Sequence, residues 1–166
     1  METREPSAST GVVAQAMQGV MAMQAITEWI LVVLGALLCI VGATDFWQAQ
    51  ISSPAASIWP LPALVLIEWM LLGLVGAIAA IGDRRAAQSW WTSIRWAVCG
   101  ALFGLLIMGV FSIGPLVLFA ALAFLGAVML ADRQYQRSVT VPVGVLTAGT
   151  VGNVAFLLTL ISLAHV

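Results

Sequence analysis

The chain has 166 residues, of which 62% are hydrophobic and only 8% charged, and its formal net charge is −1. An ordinary soluble domain is roughly 45–50% apolar and about 25% charged, and a domain of ~150 residues still leaves about 30% of its chain surface in water. The composition therefore excludes a soluble globular enzyme, a disordered chain and a nucleic-acid-binding domain, and it specifies a polytopic membrane protein.

A helix needs ~20 apolar residues to cross ~30 Å of hydrocarbon. Residues 1–10 contain Glu2, Arg4, Glu5 and Pro6. They lack the basic stretch followed directly by an apolar core that marks a signal peptide, and they read as an exposed tail. Residues 11–24 are apolar but interrupted by Gln15, Gln18 and Gln24, which share no single helical face. That segment reads either as an interfacial helix within an N-terminal region 1–24 or as an inner extension of the first span.

The transmembrane bundle is expected over 25–166. Span 1 covers about 25–44, with Glu28 near its start and Asp45 just past its end. A polar loop with Gln48, Gln50, Ser52, Ser53 and Pro54 follows. Trp59-Pro60-Leu61-Pro62 leads into span 2, about 61–82, which stops at Asp83-Arg84-Arg85. Residues 96–131 carry no charge, and as one straight helix they would be about 54 Å long, too long for a bilayer. Ser112-Ile113-Gly114-Pro115 therefore reads as a turn between spans at about 94–111 and 116–131. Both are short, and bilayer thinning or snorkelling by Arg95 and Arg133 is expected to make up the difference. A polar loop over 132–140 precedes span 5 at 141–163, with Pro142 in its first turn.

Every basic residue is an arginine: Arg4, Arg84, Arg85, Arg95, Arg133 and Arg137. Five spans place all of them on one side, which the positive-inside rule makes cytoplasmic. The N-terminus is expected in the cytoplasm of a bacterium and the spans in its cytoplasmic membrane. Trp and Tyr favour the membrane–water boundary, where the ring is half buried and its polar hydrogen stays wet. Trp29, Trp90, Trp91, Trp96 and Tyr135 are expected as anchors at the inner boundary, Trp47 and Trp59 at the outer one.

Small residues spaced by four let helix backbones approach closely within lipid. Gly73-xxx-Ala77, Gly76-xxx-Ala80, Gly100-xxx-Gly104 and Ala123-xxx-Ala127-xxx-Ala131 are such pairs, and span 5 carries the longer stripe Ala148, Gly152, Ala155 and Thr159. Gly73, Gly76, Gly100, Gly104, Ala148 and Gly152 are the expected packing residues. Cys39 and Cys99 differ in depth by ~10 Å, beyond the reach of a disulfide, and are expected as two free thiols.

Chemistry has few candidates. Glu68 lies fifteen residues above Asp83, or ~22 Å, which leaves it about 8 Å below the outer boundary. A carboxylate at that depth costs roughly 2.5–3.5 kcal/mol on insertion scales and is a functional candidate by default, proton coupling being the obvious role. Asn153 is the second intramembrane polar residue; it either lines a polar path or hydrogen-bonds across helices. His165 stands alone, and no GxSxG, HExxH, P-loop or GxGxxG sequence is present. No catalytic group, cofactor or metal is expected, and the only expected partners are the lipid bilayer and another membrane chain or a second copy.

The Asp83-Arg84 and Asp132-Arg133 steps resemble part of the inner-loop motif of major facilitator transporters, but the glycine that should follow is missing and five spans are too few. The layout of one span, an outer Pro-containing loop, a second span, a tight hairpin and a final span is similar to that of the small membrane subunit of tripartite tricarboxylate transporters. Trp59-Pro60 echoes the Phe-Pro that opens span 2 in that family. The resemblance implies an accessory subunit. The sequence thus points to a small non-catalytic subunit of a larger transport or respiratory membrane assembly. A self-contained transporter or channel, homo-oligomeric, with Glu68 and Asn153 on its path, is the alternative.

Overall fold

A computed structural model describes residues 8–52, 61–86, 89–109, 114–134 and 140–164. They form five α-helices and no strand: α1 Ala8–Ile51, α2 Leu61–Ala86, α3 Ser89–Gly109, α4 Gly114–Gln134 and α5 Thr140–Ala164. All five are long and apolar enough to cross a membrane. Three prolines stand in first turns: Pro62 in α2, Pro115 in α4 and Pro142 in α5. There the missing N–H has no intrahelical partner to lose, so each proline starts its helix rather than breaking it. Arg84 and Arg85 close α2 and Arg133 closes α4, where positive charge meets the negative end of the helix dipole.

Helix α1 departs most from the expected bounds. It begins at Ala8 and runs unbroken for 44 residues, about 66 Å, so the expected span 25–44 is only its middle. No proline occurs between Pro6 and Pro54, and the three glutamines do not interrupt a helix's hydrogen bonds. Helices α3 and α4 are also longer than expected, at 21 residues each, or about 31 Å. Neither needs a thinned bilayer. Helix α3 starts six residues before Arg95, whose guanidinium is paired inside the bundle.

Successive helices run antiparallel. Helices α1, α2, α3 and α4 close a ring, and α5 lies outside it, parallel to α3 and packed mainly on it. Phe124 of α4 wedges its ring between Gly35 of α1 and Gly76 of α2. Trp69 of α2 fills the notch at Gly42 of α1, and Trp91 of α3 fills the one at Gly82 of α2. A Cβ on Gly73 would come within 2.6 Å of the Cys39 Cβ across the α1–α2 contact. Cys39 and Cys99 are both buried and both free thiols. The α4 stripe Ala123, Ala127 and Ala131 is buried.

The tightest backbone contacts among the described glycines are between α3 and α5. A side chain on Gly100 would strike the Leu146 carbonyl and come within 2.9 Å of the Thr150 nitrogen. One on Gly149 would lie 2.6 Å from the Ala97 carbonyl oxygen. Gly104 sits 3.0 Å, measured to its would-be Cβ, from both the Thr150 oxygen and the Asn153 Cβ. The expected α5 stripe is corrected here. Ala148, Gly152, Ala155 and Thr159 are exposed, and a Cβ on Gly152 would meet nothing within 4 Å. The face that docks on α3 is instead the one bearing Gly149, Thr150, Asn153 and the buried Leu157. A Gly152→Leu variant should therefore unfold in detergent within about 0.5 kcal/mol of the parent protein, as surface changes usually do. A fall in thermal midpoint of several degrees would show that Gly152 packs against protein after all.

Candidate functional site

Among the described residues, polar side chains gather inside the bundle near each of its two ends. The first group is at the end where α2 stops. Glu28 of α1, Asp83 of α2 and Arg95 of α3 are 3%, 1% and 5% exposed. Arg95 is placed between the two carboxylates, 2.9 Å from Glu28 Oε1 and 3.1 Å from Asp83 Oδ2. Thr92 donates its hydroxyl to Asp83 Oδ1 at 2.9 Å. Arg84 donates to Glu28 Oε2 at 2.6 Å and to the Ala25 carbonyl at 3.1 Å, and its guanidinium covers the Trp29 ring at 5.0 Å. Two carboxylates and two guanidinium groups make this layer electrically neutral, which is what permits charge at low dielectric.

Arg95 is thus a correction: it does not snorkel to the membrane surface but ties α1, α2 and α3 together from within. Trp96 is another. Expected at the boundary, it is buried and donates its indole N–H to Asp132 Oδ2 at 2.9 Å, joining α3 to α4. Of the other expected anchors, Trp47 and Trp90 are exposed on the perimeter, and Trp90 stacks on Trp91 with ring centroids 4.0 Å apart. Trp29 is half buried under Arg84. Trp59 and Tyr135, like His165, Arg4 and Arg137, lie outside the described residues.

The second group is the pair picked out from the sequence. Glu68 and Asn153 are 85 positions apart, yet α2 and α5 bring them to one groove, the Glu68 carboxyl against the Asn153 side chain. The groove has a volume of about 410 Å³. Helix α3 forms its floor with Ala97, Val98 and Ala101, and Leu72 and Val75 of α2 and Phe156 of α5 form its walls. It exists because α5 packs on α3 and scarcely touches α2. Ala148 and Gly152 line it, so the outward stripe of α5 has a position, though not the expected one. Asn153 donates Nδ2 to the Ala101 carbonyl at 2.7 Å, the expected bond across helices. Its Oδ1 and Glu68 Oε2 are buried and accept no hydrogen bond.

No group of three or more His, Cys, Asp or Glu side chains able to hold a metal occurs among the described residues. Sequence reasoning found Glu68 and Asn153 because polar groups stand out in apolar runs. It missed the Glu28–Arg95–Asp83 layer because each residue sits at a span end, where a charge attracts no notice. The signal available was their common depth in an antiparallel bundle.

The architecture is that of an integral membrane protein with five spanning helices and a buried, neutral ion-pair layer. No family model, no curated protein and no solved structure matches the chain.

Proposed function

We propose that the protein is a small, non-catalytic accessory subunit of a larger transport or respiratory assembly in a bacterial cytoplasmic membrane, with its N-terminus in the cytoplasm. The observation that supports this is the first half of α1. The charged layer at Glu28 marks one end of the bundle, where α2 and α4 also stop. Twenty residues of α1 precede Glu28 and extend about 30 Å beyond that layer. The side chains of 17–23 are all exposed, with Met17, Val20, Met21 and Met23 each at least 50% so. From Glu28 to Ile51 the helix already spans about 35 Å, enough for the hydrocarbon core. This apolar arm runs past the end of the bundle and no other helix of the described residues covers it, a surface suited to contact with another protein chain. Methionine, flexible and polarisable, suits such a surface.

Replacing Val20 and Ile26 together by glutamine should abolish co-purification of a second, different chain held in fixed ratio, measured by affinity capture and mass spectrometry. The thermal midpoint of the isolated protein should stay within the effect of about 0.5 kcal/mol expected of surface changes. A parent protein that purifies alone from its native membrane, or as a complex only with itself, would remove the subunit reading.

The second reading is a self-contained transporter or channel, homo-oligomeric, whose path includes Glu68 and Asn153. It is favoured by one observation, the meeting of these two residues in a groove at membrane depth. Solute movement into liposomes holding only this chain, lost in Glu68→Gln, is the outcome that would select it.

A further inference from the structure

We propose that Glu68 is a proton-binding site and that its proton ties two helices together, the carboxylic acid of α2 donating its O–H to the Asn153 amide oxygen of α5. Such a tie serves a subunit and a transporter alike.

Donors and acceptors set the protonation state. Asn153 gives Nδ2 to the Ala101 carbonyl at 2.7 Å, which fixes which way round its amide lies. The Glu68 carboxyl lies against the Asn153 side chain. Glu68 Oε2 and Asn153 Oδ1 are both shut off from solvent, and neither receives a hydrogen bond from any of the described residues. A carboxylate and an amide oxygen are acceptors only, so the ionised form leaves two buried acceptors unpaired, which costs free energy at each. Water cannot supply the donor, because neither atom is open to it. One proton can: it turns Oε2 into a donor and gives Oδ1 its partner.

The charges of the bundle favour the same form. Arg84 and Arg95 are paired with Glu28 and Asp83, and the exposed Arg85 and Arg133 lie at the same end of the bundle. Glu68 is about 22 Å from that end along α2, so no described cation reaches it. Its neighbours in the groove offer no charge either. Leu72 and Val75 stand beside it on α2, and Asn153 is the one polar side chain among the described residues that α3 and α5 bring there. The Cys99 thiol of α3 does not line the groove. Asp45 of α1, six positions past the Cys39 that meets Gly73, lies at a similar depth but is exposed and also outside the groove. A carboxyl in apolar surroundings without a counter-charge is retained as the neutral acid, which can donate.

The consequence falls on α5, which docks on α3 through Gly100 and Gly104 and scarcely touches α2. With the proton in place, Glu68 and Asn153 join α2 to α5. Without it, two oxygen acceptors face each other and a bare charge is left at membrane depth. The tie is therefore present while Glu68 keeps its proton and is lost as the pH rises through its titration, loosening α5.

The test uses the full chain in lipid nanodiscs, as the parent protein and as Glu68→Gln, a change that keeps the size of the side chain and an N–H donor at every pH. At neutral pH the infrared difference spectrum, parent minus variant, should contain the C=O stretch of a carboxylic acid and no carboxylate band. Hydrogen exchange supplies the second readout. From neutral to alkaline pH the protection factors over Thr140–Ala164 should fall at least tenfold further in the parent than in the variant. The proposal is overturned if the difference spectrum at neutral pH contains a carboxylate alone, or if protection of α5 follows the same pH dependence in both proteins.

Discussion

Arg95→Met should be the most damaging conservative change of size in this protein, lowering its stability by about 3–5 kcal/mol. Methionine has nearly the volume of the arginine stem but leaves Asp83 without its guanidinium and Glu28 with Arg84 alone. Both carboxylates are at most 3% exposed, so neither can turn to water without separating helices. Thermal unfolding in detergent, followed by circular dichroism, should show the loss as a much lower midpoint or as aggregation on extraction. The companion experiment is Glu28→Gln, Asp83→Asn and Arg95→Met combined. Because a fully apolar or neutral replacement of a buried ion group is often tolerated, this triple variant should recover part of the stability that the single change removes. Arg84 is 28% exposed at its side chain and can then turn to solvent. A single variant as stable as the parent would mean that the ion pairs contribute nothing to holding α1, α2 and α3 together.

Gly100→Leu should detach α5. Its side chain would collide with the Leu146 carbonyl, a backbone group that cannot swing aside as a side-chain tip can. Overpacking commonly costs about 1–3 kcal/mol, and contact with backbone places this site at or above the upper end. Hydrogen exchange should show the effect as lost protection over Thr140–Ala164, the residues of α5, with α1, α2 and α4 little changed. The informative control is Gly152→Leu, the same chemical change on the partner helix at a position with open space around it, where protection should be retained. Equal protection of α5 in the two variants would contradict the α3–α5 packing described above.

These two sites differ in how far they could be read from the chain. Gly100-xxx-Gly104 and Ala148-xxx-Gly152 look alike as text. Only one of them is a helix contact, because small residues permit close approach but do not specify which face of a helix turns inward. Helix α5 is apolar on all sides, so no periodicity distinguishes its faces. The docked face follows from the notch at Gly100 and Gly104, which is a property of α3. Phe124 makes the same point in reverse. Gly35 and Gly76 both face its ring, and neither glycine carries a sign of an aromatic partner on another helix.

The sequence by itself determined the class of protein, the number of spans and the hairpin between α3 and α4. Those depend on one-dimensional quantities: the length of apolar runs against the thickness of hydrocarbon, and the breaks made by Pro, Gly and charge. It also singled out Glu68 and Asn153, since a polar side chain in an apolar run is visible without any neighbour. The tertiary structure decided everything that depends on pairing. It turned Arg95 from a surface anchor into the centre of a buried ion layer, because the cost of its charge depends on whether Glu28 and Asp83 are beside it. It joined Glu68 to Asn153 across 85 positions, because α5 packs on α3 and leaves a gap beside α2. It carried α1 far beyond the length a bilayer requires, since hydrophobic length sets the minimum for a spanning helix and nothing in residues 8–51 sets an earlier stop.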